Sequence, residues 1–204
     1  MTEITDLMDF SNNNIYFLMV LTRPKNNPGV TKASRVFIRE PVRSLESYPD
    51  KLEKCRAEAK RIGFKMYIYV SVNARNTING YENFKKTITE YECQALHGKE
   101  DFKDPLKRID KLWYSSMMQP NARATKYFIV DIDTKDNSVL QNVRNIINNW
   151  NVKEHTSQIL IEKETRNGYH FVTTPFDVRI LSAVNNVEVK TDGLLFLEAI
   201  GFDY

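Results

Sequence analysis

The chain has 204 residues, 42% of them apolar and 27% charged, with a formal charge of +3; this composition excludes a disordered or low-complexity chain over most of its length. Its best apolar run, residues 15–21, is strand-sized and lacks a signal-cleavage pattern, so a cytoplasmic protein with no membrane partner is expected. The small net charge does not by itself mark a nucleic-acid binder, but between Arg23 and Arg75 thirteen Lys or Arg face five Asp or Glu, and the remainder is net acidic. A basic stretch of this kind suits a phosphate-handling cleft.

The first ten residues are expected to fray. Residues 15–22 read as an apolar strand, ended by Arg23-Pro24 and the turn-rich Asn26-Asn27-Pro28-Gly29, with residues 35–39 returning as its hairpin partner. Apolar positions at helical spacing predict a helix over residues 44–62, stopped by Gly63, and Pro49 moves its start toward Pro49-Asp50. Residues 64–72 alternate Phe64, Met66, Ile68, Val70 and Val72 against Lys65, Tyr67, Tyr69 and Ser71, the pattern of a strand. Arg75 follows in the next turn, where it can reach a cleft. Helices are expected over residues 80–96 and 105–118. Cys55 and Cys93 fall in helices with no paired spacing, which makes them packing residues and excludes a cysteine zinc site.

From residue 126 the order becomes a strand (126–133), a helix (138–150), two strands (158–162 and 169–174), a short helix (177–184) and a last strand or hairpin (187–200). This is β-α-β-β-α-β, the ferredoxin-like arrangement. Its first strand ends in Val130-Asp131-Ile132-Asp133, which places two carboxylates on one face. Antiparallel neighbours then bring Tyr169 and His170 beside that strand end, together with Asp192 if Asp192 opens the last strand. Three acids and a histidine at one corner point to phosphoryl transfer with Mg²⁺ or Mn²⁺, whose hard-ion chemistry favours carboxylates and phosphates. The Arg166-Asn167-Gly168 turn would bring donors to phosphate oxygens.

These residues resemble the archaeo-eukaryotic primase superfamily. Asp131-Ile132-Asp133 after an apolar run is similar to its first motif, Thr165-Arg166-Asn167-Gly168-Tyr169-His170 to its second, and Lys190-Thr191-Asp192 to its third; residues 67–75 resemble part of its amino-terminal half. The resemblance implies an α/β (α+β) fold, with an amino-terminal αβ lobe (residues 1–120) packed on a carboxy-terminal RRM-like sheet (121–204). It implies a primase- or polymerase-like nucleotidyltransferase of phage or mobile-element type, acting on nucleoside triphosphates and DNA or RNA, with a helicase or other replication partner. Asp131, Asp133 and Asp192 would hold the metals, His170 would contact nucleotide phosphate, Arg166 and Lys190 would meet developing negative charge, and Arg75 would touch triphosphate or template. The sequence departs from the family in carrying Thr165 near the usual serine and in lacking a zinc module. A catalytically inactive nucleic-acid-binding or protein-interaction module with the same fold is the alternative. Lys190-Thr191-Asp192-Gly193 also resembles the attachment motif of covalent nucleotidyltransferases, although most of their nucleotide pocket follows that motif and only twelve residues follow Asp192 here.

Overall fold

The computed structural model describes residues 3–27, 35–98, 106–152 and 155–202. The expected hairpin tip beyond Asn27 and the expected helix start at Pro105 lie outside these residues. The fold is α+β, with two larger antiparallel sheets, a two-stranded hairpin and four α-helices among the described residues. By contacts the chain divides into two compact units. One comprises residues 1–8, 16–73 and 126–204, and the other residues 9–15 and 74–125.

The first unit holds both sheets. In the amino-terminal sheet, β1 (Asn14–Thr22) pairs with β2 (Arg35–Val42) on one side and β3 (Met66–Ser71) on the other. Helix α1 (Tyr48–Ile62) links β2 to β3 and ends at Gly63, whose φ of 75° is the left-handed conformation glycine adopts without a Cβ clash. Cys55 is buried in α1, and burial pushes its thiol up to about 11. Both faces of β3 are covered: Met66, Ile68 and Val70 are fully buried, and Tyr67 and Tyr69 nearly so. The tyrosine face that alternation presents as polar is therefore an interior wall. The amino terminus also departs from expectation, forming a 3-10 turn over Ile4–Leu7 with Ile4 buried.

The carboxy-terminal sheet comprises β5 (Phe128–Ile132), β8 (Ile159–Glu164), β9 (Tyr169–Thr173) and β10 (Val187–Lys190), in the order β10-β5-β9-β8 with every neighbour antiparallel. Between β5 and β8 lie helix α4 (Asn137–Asn148) and a short hairpin of β6 (Asn151–Val152) and β7 (His155–Thr156). A single 3-10 turn, Val178–Leu181, takes the place of the second helix. On one face of this sheet, Val130, Ile132 and Phe171 pack against Leu140, Val143 and Ile147 of α4. Each such burial contributes about 1.5–3 kcal/mol. Parity then directs Ile129, Asp131 and Asp133 to the opposite face.

Residues 187–200 form neither one strand nor a hairpin. After β10 the chain crosses at Thr191-Asp192-Gly193 and enters the amino-terminal sheet as β11 (Leu194–Ile200), an edge strand antiparallel to β3. Through this crossing, carboxy-terminal residues complete the amino-terminal sheet.

In the second unit, β4 (Arg75–Asn76) pairs with Asn14 and Ile15. The Asn76 side chain caps helix α2 (Thr77–Leu96) by accepting from the Ile78 and Asn79 amides at 3.1 Å each. Helix α3 (Ile109–Met117) packs closely on α2; a Cβ on Gly80 would stand 2.0 Å from Met117 Sδ. Cys93, expected to be a packing residue, is exposed on α2.

Candidate functional site

The end of β5 is flanked by the turn that precedes β9. Thr165 closes this turn: its amide donates to the Gly168 carbonyl at 2.8 Å, and its hydroxyl accepts from the Gly168 amide at 3.1 Å. A Cβ on Gly168 would lie 1.8 Å from the Ile132 carbonyl oxygen. Glycine is therefore required for the turn to approach β5, and that approach sets the tip residues Arg166 and Asn167 beside Asp131 and Asp133.

Asp131 and His170 are direct cross-strand partners. Phe196 N–H of β11 donates to His170 Nδ1 at 3.2 Å, which leaves the ring hydrogen on Nε2, 3.2 Å from Asp131 Oδ1. The second Asp131 oxygen accepts from Lys190 Nζ at 2.6 Å. Burial alone would raise the Asp131 pKa, but the hydrogen bonds from His170 and Lys190 and the charge of Lys190 hold it well below the usual carboxylate range. Burial likewise disfavours charged Lys190, and Asp131, helped by Glu188, still moves its pKa above the ordinary value.

Asp131, Asp133, Arg166, His170 and Lys190 line one cavity of about 450 Å³ within the first unit. Its other wall comes from the amino-terminal sheet: Tyr67, Tyr69 and Phe196 form an aromatic cluster with ring centroids 5.8–6.4 Å apart. Arg23 enters from the end of β1. Its guanidinium donates to the Tyr69 hydroxyl at 2.9 Å and lies 5.3 Å from the Tyr67 ring centroid. Burial pushes the Tyr69 hydroxyl pKa up, opposed by Arg23. The Asn27 side chain fixes this segment by bonding both the amide and the carbonyl of Lys65, at 2.8 and 3.0 Å. Nearby, Asn26 donates to the Tyr67 hydroxyl.

Five of the seven residues expected at the site thus meet at one cavity. The other two lie elsewhere. Arg75 belongs to the second unit, where it is 3% exposed, opposite Ile15 and bridged to Arg123. Asp192 follows the far end of β10. The antiparallel register sets Val187 opposite Ile132 and Lys190 opposite Ile129, so Asp192 continues away from the Asp131 corner. There Asn73 donates to it at 3.3 Å while also bonding the Tyr127 backbone.

The acid directly opposite Asp131 is Glu188. Lys190 Nζ bridges the two carboxylates, 2.6 Å from Asp131 and 3.2 Å from Glu188. Among the described residues, no three Asp, Glu, His or Cys side chains are grouped to hold a metal ion. In place of the expected Asp131–Asp133–Asp192 corner, Asp131 and Glu188 share a resident ammonium, itself a cation between acids, while Asp133 lines the same cavity as Asp131. Arg23, Tyr67, Tyr69, Phe196 and Glu188 were not singled out as site residues from the sequence; the alternation of Tyr67 with Tyr69 was the visible signal for the aromatic wall.

No helix among the described residues is long and apolar enough to cross a membrane. Comparisons with protein-family models, curated proteins and solved structures returned no match.

Proposed function

We propose that the cavity binds a nucleoside triphosphate for metal-dependent nucleotidyl transfer on nucleic acid, the primase- or polymerase-like reaction. The observation carrying this reading is the pairing, across one cavity, of a cationic and acidic strand end with an aromatic wall. Arg23 and Arg166 supply donors for phosphate oxygens, and Tyr67, Tyr69 and Phe196, largely buried against one another, supply the apolar edge of the cavity wall on which a base would pack. His170 has both ring nitrogens engaged within the protein, so it acts by orienting Asp131.

The Lys190 ammonium between Asp131 and Glu188 is the observation that fits these acids to a cation. Among the described residues no three acids stand grouped around a ready ion site, so Mg²⁺ or Mn²⁺ would have to displace the Lys190 ammonium and be held by Asp131 and Glu188, with Asp133 near the strand end; bound there it would supply neutralisation of phosphate charge and activation of an attacking hydroxyl. Asp192, bonded to Asn73 beyond the far end of β10, serves the crossing between sheets. A second reading, a nucleic-acid-binding module without activity, is favoured by the engagement of both Asp131 oxygens by Lys190 and His170.

Extension of a primed template with nucleoside triphosphates and Mn²⁺ separates the two. The reaction reading expects product from the wild type and from Asp192→Asn, and loss of product in Glu188→Gln and in Asp131→Ala/Asp133→Ala. Wild-type product that survives both acid variants would overturn the assignment. Nucleotide binding without any extension selects the inactive module.

A further inference from the structure

The nucleotide cavity has a neighbour in the same unit. A second cavity, of about 470 Å³, is lined by Lys135, Glu164, Ala199 and Phe202 and shares Thr165, Arg166 and Phe196 with the first. The shared wall therefore contains the tip of the β8–β9 turn and one ring of β11. Arg166 is held on this wall by Phe202, whose ring centroid is 4.7 Å from the guanidinium carbon. Phe202 in turn packs on Tyr67 with centroids 5.2 Å apart, and Tyr67 borders the first cavity. Rings thus run without interruption from Tyr69 and Phe196 through Tyr67 to Phe202. Lys65 adds a further cation 5.5 Å from the Phe202 centroid.

Cations along a path with successive aromatic surfaces are what a single nucleic-acid strand requires, because the phosphates need charge and every base has a face to stack. A lone nucleotide uses the first cavity and leaves the second without a role. We infer that the two cavities form one track for a single strand, with Arg166 at the phosphodiester between adjoining nucleosides, one in each cavity. This inference rests on the nucleotide reading of the first cavity and assigns the second to the adjoining nucleotide. The track recognises features common to DNA and RNA, the phosphodiester and the base face.

The test is equilibrium titration of the full chain with a 5′-phosphorylated mononucleotide and the corresponding dinucleotide, in deoxy and ribo forms. The dinucleotide is expected to bind about tenfold more tightly, the scale of one added stacking contact. Ala199→Trp, which fills the second cavity from a residue outside the first, is expected to reduce that ratio to about twofold or less. Arg166→Gln, a change at an exposed turn, gives an independent reading: the salt slope of dinucleotide binding should fall by about 0.7, as for one lost phosphate contact on a single strand. Equal affinities for the two ligands in the wild type, or a tenfold ratio that survives Ala199→Trp, would overturn the track. Failure of both ligands to bind would instead overturn the nucleotide reading beneath it.

Discussion

Asp131→Asn isolates the ion pair at the centre of the site. The amide keeps the shape of the side chain and an oxygen for His170 Nε2–H, but removes the charge that holds Lys190 at 2.6 Å. A hydrogen bond to a charged group contributes about 1.5–3 kcal/mol. The Lys190 side chain is 38% exposed, so solvent screening lowers the expected loss to about 1–2 kcal/mol at pH 7. The pH dependence has a definite sign. The folded-state pKa of Asp131 lies below its ordinary value of 3.8, so the stabilisation is present above that value and is lost as pH falls through it toward the folded pKa. Urea unfolding of wild type and variant should therefore show the largest gap near neutral pH, shrinking steadily below about pH 4. Equal stabilities at pH 7, or a gap of the same size at about pH 3, would show that the ion pair does not stabilise the fold in this way.

Gly168→Ala forces a methyl group to within 1.8 Å of the Ile132 carbonyl oxygen; overpacking of this kind should cost about 3 kcal/mol, read as a lower urea midpoint. Lys190→Met removes the ammonium from between Asp131 and Glu188. Apparent Mn²⁺ affinity of the nucleotide-free chain, followed by the spin-resonance signal of free Mn²⁺, should then rise about tenfold, or 1.4 kcal/mol. No rise would show that Lys190 is not holding a cation position.

Local patterns made much of the architecture legible. The alternation through Met66, Ile68 and Val70 marked β3, and the Val139, Val143 and Ile147 stripe marked α4, because both periods depend on neighbouring residues. The β-α-β-β-α-β order correctly placed His170 against Asp131. Long-range choices were hidden. Residues 194–200 read as a strand, but nothing local says that they join β3 instead of turning back on β10. Glu188 and Lys190 share a face by parity, whereas the cross-strand register decides that Glu188, and not Asp192, lies opposite Asp131. Arg23 looked like a turn residue before Pro24; its place became visible once Asn27 had pinned that segment to Lys65. Arg75 failed to join the site for a related reason, being drawn by the Asn14–Ile15 pairing into the second unit.

Binding of a nucleotide in the cavity of Asp131 and Arg166 is the proposal on which the functional reading stands or falls. Amide shift mapping by NMR during titration with a nucleoside triphosphate tests it most directly, because it reports location as well as affinity. Saturable shifts are expected around Tyr67, Tyr69, the 165–170 turn and Phe196, weakened by Arg23→Gln. Shifts confined to α2 and α3, or none at saturating nucleotide, would contradict it.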